Sequence, residues 1–490
     1  MTDFPFSELV LILYTFSLSI LLVFSSHGFI MLFYQHKHRN KIQQTLENVD
    51  TSKIVTIQLP LYNELYVVER LIDAVCKLDY PKENLEIQVL DDSTDETIEL
   101  VAGIVKRKKD EGFLISHIRR TDRTGFKAGA LKNGLAEAKG EFIAIFDADF
   151  LPPSDFLKKT LPHFYSSKIG MVQTRWGHIN EKQSLLTRVQ AFALDGHFAI
   201  EQKVRNDAGF FINFNGTGGV WKKECIVDAG NWANDTLTED LDLSYRAQLK
   251  GWQFVYLKDV TTPAELPEEM SALKSQQFRW TKGAIETAKK LLPTIWKSNL
   301  SLRLKLQSTF HLTNNFVFPF VLVVALLNLP LLFIKHAGNF DAYFRYSSLF
   351  IFAFFSTFFL YTSAQKNIYQ DWKKRILIFP VFLSGTMGFA LNNSKAVMEG
   401  VFNKKSEFVR TPKFASNGTV SVVNKYVAGS KISALLFVEI LFAFYSFVGV
   451  ITSIYFMELA ALPFNMMFFF GFFSVAVLSL KQVMLKNKWL

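Results

Sequence analysis

Carboxylates stand in this sequence where chemistry on a charged ligand becomes possible. The run Glu141-Phe-Ile-Ala-Ile-Phe-Asp-Ala-Asp149 is apolar from Phe142 to Phe146 and then stops at two aspartates one residue apart. An apolar run of that length suits a strand buried on both faces of a parallel sheet. Side chains two apart on an extended chain point the same way, so Asp147 and Asp149 can face one divalent cation. Taken alone, Asp-x-Asp suits a strand end capped by solvated turn aspartates equally well. Two similar clusters follow apolar runs earlier in the chain: Pro60-Leu-Tyr62-Asn-Glu64 after Ile54–Leu59, and Asp91-Asp92-Ser-Thr-Asp95 after Leu85–Leu90. Open α/β sheets bind ligands at the carboxyl ends of their strands, so the three clusters are expected to share one crevice. Aspartates there can accept hydrogen bonds from a base edge or ribose hydroxyls. The alternative, a helix N-cap, suits Asp95 better than Asp91 or Asp92.

Other groups complete a possible site. Gly125-Phe-Lys127-Ala-Gly129 opens a predicted helix with a lysine near its N-terminus, a place suited to a diphosphate. Thr238-Glu-Asp240 adds two further carboxylates, and Asp242 lies two residues on, inside the following predicted helix, where a structural role suits it better. In Gln276-Gln-Phe-Arg279-Trp280 the amide, guanidinium and indole share one helix face. A guanidinium fork matches a pair of diphosphate oxygens, and an indole offers a flat face to a sugar ring. That trio could instead pack the helix on a membrane-proximal core with Trp280 as an interface anchor.

The elements that must position these residues alternate strand and helix from Lys53 to about Lys290, which predicts a mostly parallel sheet. Strands are expected at Ile54–Leu59, Leu85–Leu90, Leu114–Ile118 and Phe142–Phe146, with a helix at Lys127–Ala138. Around this α/β domain the chain is strongly apolar: 49% of its 490 residues are hydrophobic, yet 20% are charged. That mixture fits a membrane protein carrying a water-soluble domain. The formal charge of +10 comes from basic residues clustered beside apolar spans, so it reflects membrane topology and gives no indication of nucleic acid. Two cysteines, Cys76 and Cys225, make neither a disulfide framework nor a metal motif, which suits a reducing cytosolic face.

The expected order is an N-terminal membrane anchor at 1–35, a cytosolic α/β domain at 50–290 and an amphipathic interfacial segment at 291–315. Two spans follow within 316–364, then an interfacial or re-entrant helix with a cytosolic loop at 376–430, then two spans within 432–481. Leu9–Tyr34 lacks a basic n-region and a cleavage site, so it reads as an anchor and not as a signal peptide. Residues 376–402 are kept from crossing because both flanks are basic and favour the cytosol, leaving five true spans. Glu439, inside a span, either faces a polar path or snorkels to the cytosolic surface.

Together and in this order, the motifs Val89-Leu-Asp-Asp-Ser-Thr-Asp95, Phe146-Asp-Ala-Asp149, Thr238-Glu-Asp240 and Gln276-Gln-Phe-Arg-Trp280 resemble the family 2 glycosyltransferases with a membrane-anchored synthase architecture. The resemblance is to cellulose synthase-like glucomannan and xyloglucan-backbone synthases and to bacterial cellulose synthase, and it runs from about Val55 to Lys413. It implies an α/β, Rossmann-like fold of the GT-A type inserted between transmembrane helices, and an inverting, sugar-nucleotide-dependent transferase. By motif, Tyr62, Glu64, Asp91 and Asp92 would hold the nucleoside and Lys127 the diphosphate. Asp147 and Asp149 would hold Mg²⁺ or Mn²⁺, Asp147 also serving the nucleotide. Asp240 would be the general base, Gln276 and Arg279 would steady the leaving diphosphate, and Trp280 would stack under the acceptor sugar.

Phe408-Val-Arg-Thr411-Pro-Lys413 resembles the gating loop of cellulose synthase, although Arg410 replaces the usual valine and Pro412 is added. The cyclic-dinucleotide control of bacterial cellulose synthase is not implied. The expected partners are a nucleotide sugar (UDP-glucose or GDP-mannose), a glycan or lipid acceptor, and the bilayer. The leading expectation is processive extension of a β-glycan with translocation, in polysaccharide biosynthesis; the alternative is single transfer to a membrane lipid. The membrane is expected to be the bacterial inner membrane, or the Golgi membrane in a eukaryote.

Overall fold

The computed structural model describes residues 4–41, 49–338, 340–406, 413 and 434–487. Four strands stand where the apolar runs place them: β1 (Val55–Leu61), β2 (Leu85–Asp91), β3 (Leu114–Arg119) and β4 (Phe142–Ile145). The apolar run of β4 feeds two cores at once. Phe142, Ala144 and Phe146 pack on one side with Leu71, Ile72 and Val75, whereas Ile143 and Ile145 pack on the other with Leu131, Leu135 and Trp221. Two-sided burial removes the alternation of a half-exposed strand, which is why the run reads as continuous.

Three more strands, β5 (Ile169–His178), β6 (Gly219–Lys222) and β7 (Gln253–Ala264), extend the sheet to the order β3-β2-β1-β4-β6-β5-β7. β1 to β4 are mutually parallel and β5 is parallel to β7, while β6 runs antiparallel to both β4 and β5. Inside the sheet Gln58 pairs in register with Gln88, and its Nε2 donates to the Gln88 Oε1 at 3.0 Å, one hydrogen bond between two buried amides. The chain steps outward from β1 through β2 to β3 and then returns to the far side of β1 as β4. The strand order reverses between β1 and β4, and the crevice beyond their carboxyl ends is the place such sheets reserve for ligands.

Among the described residues, five helical units are long and apolar enough to cross a membrane: Phe6–Lys37, Leu302–His336, Asp341–Ile368, Ala434–Tyr455 and Leu462–Met484. A sixth is counted only if Trp372–Gly388 and Ala390–Val401, bent by 46° at their junction, form one span. Gly385 and Gly388 lie just before the bend. The boundary expected near 291 falls elsewhere. Leu291–Lys297 is the end of one long helix, Met270–Lys297, and Leu302–Thr313 leads into the apolar helix Val317–His336 through a single 3₁₀ turn. Helical pattern continues across both places, so composition alone drew the line too early and then too late.

The long helix Met270–Lys297 joins the α/β domain to the apolar helices. Lys274 forms an ion pair with the fully buried Glu439 at 2.6 Å, and the Lys274 carbonyl accepts from Asn392 Nδ2 at 3.1 Å. The Ser271 N–H donates to Gln482 Oε1 at 3.0 Å. Glu439 therefore faces a partner on the domain side.

Candidate active site

A cavity of about 210 Å³ opens beyond the carboxyl ends of β1 and β4. Its lining includes Tyr62, Glu64, Asp92, Lys127, Asp147, Asp149, Asp240, Gln276, Arg279, Trp280 and Lys413. The structure thus brings together most of the residues singled out from sequence. Phe408 and Thr411 lie outside the described residues.

Lys127, one residue into the helix Phe126–Glu137, meets Asp147 Oδ1 at 2.6 Å and donates to the Gly216 carbonyl at 2.9 Å. Burial works against its charge, but Asp147, Glu239 and Asp240 outweigh it, and its pKa is raised. The Asp147 N–H donates to Thr217 Oγ1 at 2.9 Å, which fixes the strand end. Asp240 sits in the first turn of the helix Glu239–Leu249. Burial first, then Glu239, pushes its carboxyl up to about 7, with Lys127 opposing. A half-buried carboxylate poised near neutrality is suited to take a proton. Asp242 is fully buried and held by Arg246 and Lys290, each at 2.8 Å, so it is structural.

Two glycines permit this arrangement. Gly216 has φ +80°, and a Cβ there would stand 3.0 Å from Asp240 Oδ2 and 3.4 Å from Lys127 Nζ. Gly283, one turn beyond Arg279, lies where a Cβ would come within 2.8 Å of the Thr238 backbone N. The long helix can therefore lie directly against the Thr238–Asp240 turn, which places Arg279 at the same cavity as Asp240. Burial lowers the Arg279 pKa, against Glu239, Asp147, Asp240 and Asp149.

The donor chemistry at Asp147 and Asp149 fits a hard cation. Asp149 Oδ1 meets the Lys413 ammonium at 2.5 Å, and Glu64 Oε1 lies 3.8 Å from the same nitrogen, so a positive charge already sits among these carboxylates. Burial raises the Asp149 pKa, with Lys413 opposing and Asp147 and Glu64 adding to the rise. Among the described residues no three His, Cys, Asp or Glu side chains converge as a metal cage. Mg²⁺ and its analogues at diphosphate sites rarely need one, since one or two carboxylates and the phosphate oxygens complete the shell.

The nucleoside end differs from expectation. Asp91 is buried away from the cavity, its carboxylate accepting from His117 Nε2 at 2.8 Å and from the Ser93 N–H at 2.9 Å. Asp92 lines the cavity, but Arg120 already grips it through Nε at 2.9 Å and through Nη2. Sequence reasoning did not single out Arg120 or Arg123, although both follow the carboxyl end of β3, where the logic used for the other strands applies. It also passed over Trp176, His178 and Glu265, which line the same cavity. The rings of Trp176 and Trp280 are 6.5 Å apart and tilted by 53°, two aromatic surfaces on one side of the cavity. Trp176 and His178 sit at the end of β5, a strand whose polar residues hid it.

Comparison with known proteins agrees with this geometry. Residues 53–283 match the profile described as glycosyltransferase like family 2. A glucomannan 4-beta-mannosyltransferase of Oryza sativa subsp. japonica is 44% identical over 257 residues, covering 50% of this chain and 49% of that relative. Another from Cyamopsis tetragonoloba is 42% identical over 259 residues, covering 52% and 49%. The chain spans about half the length of the curated relatives it matches. A mannosyltransferase of Pyrobaculum calidifontis, solved in complex with GDP-Man and Mn²⁺, has the same fold, with a TM-score of 0.52 at 19% identity over 79% of this chain and 100% of that one.

Proposed function

We propose that the chain, whose residues 53–283 match the family 2 glycosyltransferase profile and resemble glucomannan mannosyltransferases, moves a hexosyl unit from a nucleotide sugar to a β-glycan. The two plant relatives are mannosyltransferases by name, which favours mannose, carried by GDP, over glucose, carried by UDP. The observation that carries the reading is one cavity holding a half-buried carboxylate whose pKa is pushed up to about 7, Asp240, beside two cations, Lys127 and Arg279.

The reaction follows from these groups. The acceptor hydroxyl gives its proton to Asp240, and its oxygen attacks the anomeric carbon as the bond to the diphosphate oxygen breaks. The nucleoside diphosphate leaves with the bonding electrons, and Lys127 and Arg279 neutralise the charge that grows on it. Asp149 and Asp147 would hold Mg²⁺ or Mn²⁺, whose charge would offset the same diphosphate. Direct displacement from an α-linked donor inverts the anomeric carbon and leaves a β-linkage. Trp280 and Trp176 offer flat faces to the acceptor sugar. Gln276, which lines the same cavity, would steady the diphosphate, and Tyr62 and Glu64 would flank the nucleoside side.

Repeated transfer with passage of the product through the membrane is part of the proposal. Its support is the clamp of the Gln276 helix to the apolar helices through Lys274 and Glu439. The catalytic domain faces the cytosol, where nucleotide sugars are made, in a bacterial inner membrane or a Golgi membrane according to the host. Membranes containing the chain, incubated with labelled GDP-mannose or UDP-glucose and Mg²⁺ or Mn²⁺, should yield label that resists organic extraction and is released by a linkage-specific β-glycosidase. Label found wholly in an organic-soluble glycoside would replace the glycan acceptor with a lipid one.

A further inference from the structure

Arg123 lines the cavity with its guanidinium carbon 3.3 Å from the centroid of the Tyr62 ring and 5.0 Å from that of Phe126. Aromatic contact therefore fixes the plane of the group. Among the described residues its side chain makes no hydrogen bond or ion pair, and its Nε is buried without a partner. A buried donor left unpaired is a cost that a ligand can relieve. The surrounding loop holds Arg123 in place. Arg120 donates to the Thr124 carbonyl at 3.0 Å and to the Phe126 carbonyl at 3.1 Å while gripping Asp92. Phe126 itself adopts φ +47°, an unusual conformation for a bulky residue and one that clusters at functional sites.

The position of Arg123 says which part of a ligand it meets. Lys127, Asp147 and Arg279 gather where β1 adjoins β4, and they suit a diphosphate. Arg123 follows β3, but its guanidinium reaches back over Tyr62, which flanks the nucleoside side, so a ligand with its diphosphate on Lys127 extends its nucleoside towards Arg123. Asp91 and Asp92 are both engaged there, by His117 and Arg120, and among the described residues the Arg123 fork is left unpaired.

We propose that Arg123 reads the nucleobase of the donor and selects guanine over uracil. A guanidinium edge presents two parallel N–H groups, and guanine offers two adjacent acceptors, O6 and N7, on one edge. Uracil has a carbon-bound hydrogen beside its O4 and can meet only half of the fork. The inference rests on the nucleotide-sugar reading above and narrows its donor to a guanosine diphosphate sugar.

The test uses the full chain in detergent or nanodiscs with Mg²⁺ or Mn²⁺, titrated calorimetrically with GDP and with UDP. The unsubstituted chain should bind GDP about tenfold more tightly than UDP, the discrimination of one bidentate contact. Arg123→Lys keeps the charge and loses the fork, so the ratio should collapse towards one, and Arg123→Ala should do the same. A ratio unchanged in both variants, an equal loss for both nucleotides, or tighter UDP binding by the unsubstituted chain would overturn the assignment of Arg123 alone. Binding of neither nucleotide to the unsubstituted chain would overturn the donor reading with it.

Discussion

At Asp240, the proposed base, the chain accepts a cost in stability. Burial and Glu239 disfavour the ionised carboxyl, raising its pKa from 3.8 to about 7. The penalty is absent below the unfolded-state value, grows as the pH rises towards 7 and is complete above it. Asp240→Asn removes the charge and should raise the melting temperature at pH 8 while leaving it nearly unchanged at pH 4, as a thermal melt at both values would register. The same titration shapes the reaction. Only the ionised form takes a proton, so transfer by the unsubstituted chain should fall as the pH drops through about 7, measured as a pH–rate profile at saturating donor. Asp147 and Asp149 were legible because they end an apolar run, Phe142–Phe146, whereas Asp240 was marked only by its motif. Arg123 was hidden because no pattern marks a lone arginine whose value lies in being unpaired.

Among the elements, the long helix Met270–Lys297 does most to assemble the site. Gly283 lets it lie against Thr238, and the Lys274–Glu439 pair ties its first turns to an apolar helix. Gly283→Leu would drive a side chain into the Thr238 backbone and push Arg279 away from the cavity. Transfer should fall by about a hundredfold, the scale set by misplaced catalytic groups, while circular dichroism stays unchanged. Glu439→Ala strands the Lys274 ammonium, 13% exposed, without its counterion, and should destabilise the fold by about 3 kcal/mol in denaturant titration. β1 to β4 were readable from their apolar runs. β5 was not, because buried Gln173 and Thr174 interrupt its pattern and are satisfied by Thr217 and Gly218 carbonyls that only the folded sheet brings near. The start of the long helix carried its motif plainly, whereas its end did not, since helical spacing runs past Lys290 without a break.

Over the whole molecule, an α/β domain with a charged cavity is fastened to apolar helices that flank it in sequence on both sides. That arrangement was legible in the alternation of apolar spans with a strand–helix domain. The status of Trp372–Val401 was not, because a bend of 46° is set by packing and not by composition. Stripping divalent cations with a chelator should abolish transfer, and restoring Mg²⁺ or Mn²⁺ should recover it; full activity in the chelator would exclude the cation role given to Asp147 and Asp149. The most direct test compares the unsubstituted chain with Asp240→Asn in purified membranes, following label from GDP-mannose into polymer and measuring GDP affinity on the same samples. Asp240→Asn should bind GDP as tightly as the unsubstituted chain and transfer mannose about a thousandfold more slowly. Equal transfer by the two chains would contradict the assignment of Asp240 as the base.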